Sequence, residues 1–161
     1  MAGPAGQYYL NGKDLWVKFG VAIKKDGTQD FLKFPEAKDS IEHDWLDSNG
    51  IDKDLSRIFY KSKEIVIQCY LAAVGETDWW TKYNAFFAEL TLPGLKRFEI
   101  SEFSRSFYVY YKECSALTRF TRIKDTNKVF VEFTITVVEQ EPKFDNTNIY
   151  IVDEDGRFLV T

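Results

Sequence analysis

The chain reads as mainly β with one helix, an α+β arrangement: a β-sandwich or split barrel flanked by a single α-helix, plus a C-terminal hairpin. Three observations predict this class. Apolar residues alternate along residues 15–23, 64–74 and 129–137, the period-two signature of strands with one buried face. A single run, residues 77–91, spaces its apolar residues as a helix does. Aromatic residues are 17% of the chain, with Phe 14, Tyr 9 and Trp 4, and such rings favour strands and the cores between them.

The elements follow in order. Residues 1–7 are small and read as a flexible terminus. Asn11-Gly12 follows Tyr8-Tyr9-Leu10 and supplies the positive φ angles of a tight hairpin. In the run after it, Leu15, Val17, Phe19, Val21 and Ile23 share odd positions and so one face of a strand. Lys25-Asp26-Gly27 turns the chain, and the short apolar piece Phe31–Phe34 leads to Pro35. Residues 36–54 are polar, with Ile41, Trp45 and Leu46 marking a short ordered piece and Ser48-Asn49-Gly50 a turn. A long loop in a compact domain is usually functional or mobile.

Ile65, Ile67, Cys69 and Leu71 then line one strand face, while Val66, Tyr70 and Val74 partly fill the other. A strand apolar on both faces is expected at the centre of a sandwich or under a helix. The helix, expected at about 77–91, starts at Thr77 as N-cap with Asp78 in its first turn. Trp80 stands at the third helical position, so there is no capping box. Trp79, Tyr83, Phe86, Phe87 and Leu90 form the apolar stripe, Trp80 points off it, and Pro93-Gly94 ends the helix. The strand runs LKRFEIS, FYVYYK and SALTRFTRI follow, with turns at Ser104-Arg105 and Asp125–Asn127. Val129, Val131, Phe133, Ile135 and Val137 give the cleanest alternation. Pro142 and residues 145–148 mark a break, and residues 141–161 read as a hairpin extension turning at Asp155-Gly156, suited to pair with another element or subunit. Residues 8–140 are thus expected as one domain.

Net charge is −4, which does not favour global attraction to nucleic acid or to an anionic membrane. No apolar run approaches the roughly 20 residues of a membrane helix, and the N-terminal residues carry no basic region followed by an apolar one, so no secretory signal is expected. Two cysteines, Cys69 and Cys114, are not a disulfide framework, and Cys69 is read as a small buried hydrophobe.

No cluster of residues specifies chemistry. His43 is the one histidine and has acids around it, but no GxSxG elbow or equivalent accompanies it. A zinc site wants several Cys or His ligands at short spacing, which Cys69 and Cys114 do not provide. The run Asp47–Asp52 has oxygen ligands, but its Gly50 comes too early for a calcium loop and no terminal Glu follows; an Asx-rich turn explains it, as it does Asp153–Gly156. No residue is assigned a catalytic, cofactor-binding or metal-binding role, and no cofactor is expected.

Charge is distributed unevenly. Residues 36–54 hold seven acids (Glu36, Asp39, Glu42, Asp44, Asp47, Asp52, Asp54) and two bases (Lys38, Lys53). Residues 96–128 hold eight bases (Lys96, Arg97, Arg105, Lys112, Arg119, Arg122, Lys124, Lys128) and four acids (Glu99, Glu102, Glu113, Asp125), interleaved with Phe107, Tyr108, Tyr110 and Tyr111. A single-strand-binding face would use such stacking rings, but the acidic chain favours a mixed-charge sheet face, and no specific nucleic-acid binding is expected. Alternatively the two regions meet between neighbouring protomers, head to tail, as in rings and tubes.

The order of elements carries a resemblance. The Leu10-Asn11-Gly12 turn, an acidic loop with Ser48-Asn49-Gly50 and Asp52, Arg57-Ile58-Phe59-Tyr60 running into EIVIQCYL, a helix ending at Leu92-Pro93-Gly94, and a strand with FYVYYK are together similar to the N-terminal domain of distal tail (Dit-like) proteins of long-tailed bacteriophages. The likeness covers roughly residues 8–140. It implies a β-sandwich or split barrel with a flanking helix, assembly into hexameric rings joining tail tube to baseplate or tip, a distal-tail or tail-tube-like role, other tail proteins as partners, a location in the virion tail after synthesis in the host cytoplasm, and no catalytic residues to transfer. The second, galectin-like domain of many members is not expected in a chain of this length. The interface elements expected are the loop at 36–54, the strands at 96–128 and the C-terminal hairpin. The rival expectation is a monomeric ligand- or carbohydrate-binding β-module using exposed Trp45, Trp80 and tyrosines.

Overall fold

A computed structural model describes residues 4–142 and the strand residues 151–152 and 158–159. Its centre is one antiparallel sheet built from β1 (Tyr8–Leu10), β2 (Lys13–Asp14), β3 (Val21–Ile23), β6 (Lys63–Ala73), β7 (Lys96–Ile100), β8 (Arg105–Arg119) and β9 (Val129–Glu139), in the order β2-β1-β7-β8-β9-β6-β3. The end strands β2 and β3 do not pair, so the sheet is not a closed barrel. It does bend over its own core. Phe31, from the short helix α2 (Gln29–Leu32), packs on Phe98 of β7 and Phe107 of β8, with ring centroids 5.2 and 4.8 Å away. Apolar side chains from both halves of the sheet therefore meet, and the predicted class holds.

The long helix α3 (Gly75–Thr91) covers the core. Phe86 is fully buried between Phe19 and Phe133, with centroids 5.8 Å from each, and Phe87 packs on Tyr111 and Phe133. Burial of this stripe supplies the driving force that helix propensity alone lacks. The helix begins two residues before Thr77, which is not its N-cap. Val74 occupies that place, and the Asp78 carboxylate reaches back to accept from the Val74 N–H at 2.9 Å. That bond, with Lys82 2.8 Å away, holds the Asp78 pKa below the usual carboxylate range, the Lys82 contact being the larger cause. The far end is closed by Lys96, buried on β7, whose ammonium donates to the carbonyls of Leu92, Pro93 and Gly94. The carbonyls of the C-cap and of the turn that follows it are thereby satisfied.

Residues 15–23 correct the sequence reading most. They form not one strand but α1 (Leu15–Phe19), then β3. Leu15 and Phe19 are buried while Val17, placed between them by the strand reading, is 65% exposed. The spacing of Leu15 and Phe19 suits a helical face as well as a strand face. What settles it is the pair of stops: the Asp14 carboxylate accepts from the Val17 N–H at 2.9 Å, and Gly20 closes the turn at φ 63°. A side chain at Gly20 would also meet the Ala72 carbonyl oxygen at 2.6 Å. Left-handed strain and overpacking each cost on the order of 1–3 kcal/mol, so Gly20→Ala is expected to lower unfolding free energy by about 3 kcal/mol in a urea titration. A loss under about 1 kcal/mol would contradict this geometry.

Asn11-Gly12 forms the expected hairpin, with φ of 51° and 78° and Leu10 opposite Lys13. Gly6 and Gln7 bond to Asp14 and Ser101. The runs FYVYYK and SALTR are one strand, β8, interrupted by register shifts between Tyr111 and Glu113 and between Cys114 and Ala116. β6 is buried on one face only: Glu64, Val66 and Gln68 are exposed on the other, and its position beside β3, not a sandwich centre, is the reason. At the C-terminal side, β10 (Ile151–Val152) pairs with β11 (Phe158–Leu159); the predicted break at 145–148 and turn at Asp155-Gly156 lie outside the described residues.

Candidate assembly surfaces

Between α2 and β6 the chain leaves the sheet as an arm. Its neck is a one-rung antiparallel bridge, Ala37 opposite Tyr60, flanked by bonds from the Lys38 N–H to the Phe59 carbonyl (2.7 Å) and from the Lys61 N–H to the Glu36 carbonyl (2.8 Å). The Glu36–Lys61 ion pair at 2.8 Å reinforces it. Beyond the neck, β4 (Glu42–His43) pairs with β5 (Asp52–Lys53), and the Asp54 N–H donates to the Ile41 carbonyl. The acidic segment predicted as a loop thus contains a small hairpin.

The arm presents a series of exposed apolar groups. Ile41, Trp45, Leu46, Ile51, Leu55, Ile58 and Phe59 are all exposed, and Leu46, at the hairpin turn, is fully so. None of the buried core residues comes from the arm beyond its neck. Single exposed hydrophobes are ordinary, whereas a run of them on one excursion marks a contact surface. Asp44 and Asp47 bracket Trp45 and Leu46 at its tip. His43 lies here too, its ring stacked on Trp45 at 5.1 Å and paired in register with Asp52. That stack accounts for its position.

The basic region 96–128 is redistributed by the fold. Lys96 is buried as a helix cap, Arg97 pairs with Glu99, Lys112 pairs with Glu64 across the sheet, and Arg105 lies over the Phe107 ring. Among the described residues, Arg119, Arg122, Lys124 and Lys128 enter no ion pair. All four belong to the connection from β8 to β9 or its flanks, so the unneutralised positive charge collects at that tip.

Register shows where the tip lies relative to the arm. Lys63 at the arm's root pairs with Glu139, and Ala73, ten positions later, pairs with Val129 beside the tip. At roughly 3.3 Å per residue the root and the tip are ~33 Å apart along the ladder, at opposite ends of the sheet. Beside the tip, Trp16, Val74, Lys82, Lys128 and Phe130 line an open groove of about 480 Å³. A second groove, of about 540 Å³, lies at the root end between Leu95, Tyr108, Arg105 and Glu141.

Neither groove is lined by Trp45 or Trp80. Trp80 packs instead edge-on to Trp79 and Tyr83 on α3, and Trp45 packs on His43 in the arm, so these two tryptophans do not build a shared concave site. Cys69 and Cys114 are free thiols on the strands either side of β9, opposite Phe133 and Ile135; burial pushes the Cys69 thiol far above its usual range. Among the described residues no helix is long and apolar enough to cross a membrane, and no group of His, Cys, Asp or Glu is arranged to hold a metal ion.

What sequence reasoning missed is the sheet-end geometry and the count of uncovered apolar residues in 39–59. The signal available was the density of Ile, Leu, Trp and Phe inside a stretch that otherwise reads as a polar loop.

No protein-family model matches the chain, and no curated protein matches it in sequence. Among solved structures it is similar to the crystal structure of the SPP1 Dit (gp 19.1) protein, described as a paradigm of the hub adsorption apparatus in phages infecting Gram-positive bacteria. The TM-score is 0.58 at 15% identity, over 84% of this chain and 50% of that one. The chain therefore spans about half the length of that structure, and the likeness is one of fold.

Proposed function

We propose that this protein is a structural subunit of a phage tail, at or near its distal end, and that copies of it close into a ring, six being the expected number. The arm carries this reading. Seven exposed apolar side chains cluster on one excursion, and fully burying each such side chain against a neighbour is worth roughly 1.5–3 kcal/mol. The fold likeness to a phage hub protein supports the tail as the setting, with other tail proteins as further partners and the virion tail as the location. The mechanism is geometric: the protein works by holding neighbours in register around a channel and by no chemical step.

Light scattering across protein concentration and salt tests the ring. A discrete oligomer near six times the chain mass is expected at high concentration and low salt, with annular particles in negative stain. Partial dissociation as ionic strength rises is also expected, because exposed charges are screened within a Debye length of about 10 Å at 0.1 M. A monomer at every concentration and salt would overturn self-assembly.

A further inference from the structure

We propose that the tip of the arm, Asp44-Trp45-Leu46-Asp47, seats on the opposite end of the next copy's sheet, in the groove formed by Trp16, Val74, Phe130 and Lys128. The inference rests on the ring reading and adds the identity of the two surfaces that meet.

Three observations converge on this pairing. The first is chemical match. The donor is an exposed Trp-Leu pair between two aspartates, with Glu42 and Asp52 behind it and Lys53 the nearest base. The acceptor has an apolar floor, Trp16, Val74 and Phe130, with Lys128 on its rim and Arg119, Arg122 and Lys124 beyond. Lys82 also lines it, but its charge is taken by Asp78 at 2.8 Å and its ammonium reaches the Ala72 carbonyl. The other acids facing this end are Glu76 in the first turn of α3 and Asp125 in the β8–β9 connection, and Glu132 is held by Lys24. The acceptor therefore stays net positive against a net negative donor.

The second observation is uncovered apolar area on both sides. Leu46 is fully exposed and Trp45 is 53% exposed, while Val74 at the groove is 75% exposed. Closing the two together removes apolar surface from water at both, and the charges around it set orientation more than affinity.

The third is placement. Donor root and acceptor lie at opposite ends of the β6–β9 ladder. A distinct donor and acceptor suit a heterologous, head-to-tail contact, the kind that generates rings when its rotation closes. A reciprocal two-fold contact through the same two surfaces would stop at two copies, and the mass in solution separates it from a ring.

The test uses charge exchange in the full chain. One variant carries Asp44→Lys and Asp47→Lys, and the other carries Lys124→Glu and Lys128→Glu. Each alone is expected to lose the oligomer, because donor and acceptor now bear the same sign. Mixed in equal amounts they are expected to regain it, since each variant's donor then faces an oppositely charged acceptor. Oligomers retained by both single variants would overturn the pairing while leaving the ring reading in place.

Oxidative cross-linking covers the case of weak assembly. In a Cys114→Ser background, Leu46→Cys combined with Val74→Cys is expected to give an intermolecular disulfide ladder. Leu46→Cys combined with Tyr108→Cys, at the root-end groove, is expected to give none. Equal ladders, or none from the first pair while the parent chain assembles, would refute the docking pair alone. No ladder from a parent that is also monomeric would refute the docking pair and the ring together.

Discussion

Excising residues 39–58 and joining Lys38 to Phe59 through Asn-Gly is expected to give a protein that folds as before and no longer self-associates. The neck makes the deletion possible. The Lys38 N–H already donates to the Phe59 carbonyl at 2.7 Å and Ala37 faces Tyr60 across the bridge, so the cut ends are antiparallel neighbours that a two-residue turn can join. None of the excised residues belongs to the buried core, and a shorter loop has less closure entropy to lose. At a dilution where the parent is monomeric, so that assembly adds nothing to its stability, the melting temperature should therefore stay within about 2 °C of the parent's, a change of about 0.5–1 kcal/mol for a domain of this size. The oligomer expected by light scattering should be absent, because the apolar residues that drive it are gone. Circular dichroism melts of the diluted proteins and light scattering at high concentration decide the matter. A melting temperature lower by about 10 °C would mean the arm is part of the fold, and an unchanged oligomer would remove the arm from assembly.

Phe86→Ala is expected to cost about 3–5 kcal/mol of unfolding free energy, the range for deleting a buried aromatic ring. The ring is fully buried and touches three others, Phe19, Phe87 and Phe133, so its loss removes ring contacts of α3 with both α1 and β9, leaving Phe87 on Phe133. Against a typical total of 5–15 kcal/mol this is a large fraction. A cavity at that position cannot relax easily, because the backbone around it is fixed by the β6–β9 ladder on one side and the Gly20 turn on the other. Trp80→Ala on the same helix, at a side chain 46% exposed, should cost under about 1 kcal/mol, since surface substitutions seldom exceed it. Urea unfolding of both variants provides the contrast. A Phe86→Ala loss below about 1.5 kcal/mol would mean that α3 is not seated on the sheet as described.

Much of the architecture was legible because its signals are local. Asn11-Gly12 announced a turn that needs two positive φ angles, and both residues adopt them. The alternation in 64–74 and 129–137 announced strands, and Ile65, Ile67, Cys69, Leu71, Val131, Phe133 and Ile135 are buried on one face as read. Trp79, Phe86 and Leu90 face inward from α3 as their spacing required. Residues 15–23 were misread because Leu15 and Phe19 satisfy a period of two and a period of 3.6 alike. The choice between them came from Asp14 and Gly20, whose capping roles depend on a helix being there, and from Phe86, distant in sequence. Thr77 was a plausible cap by residue type, but Asp78 reaching back to Val74 set the start of α3 earlier.

The amino-acid sequence by itself determined the class of the fold, the positions of its long strands and helix, and the uneven charge of residues 36–54 and 96–128, because periodicity, turn chemistry and charge are properties of neighbouring residues. Tertiary structure alone decided which of the charged residues remain unpaired, which apolar residues remain uncovered, and that the arm's root and the basic β8–β9 tip stand at opposite ends of one ladder. Burial and end-to-end placement depend on partners far away in the chain: Lys96 lost its surface to the carbonyls ending α3, while Leu46 kept all of its own.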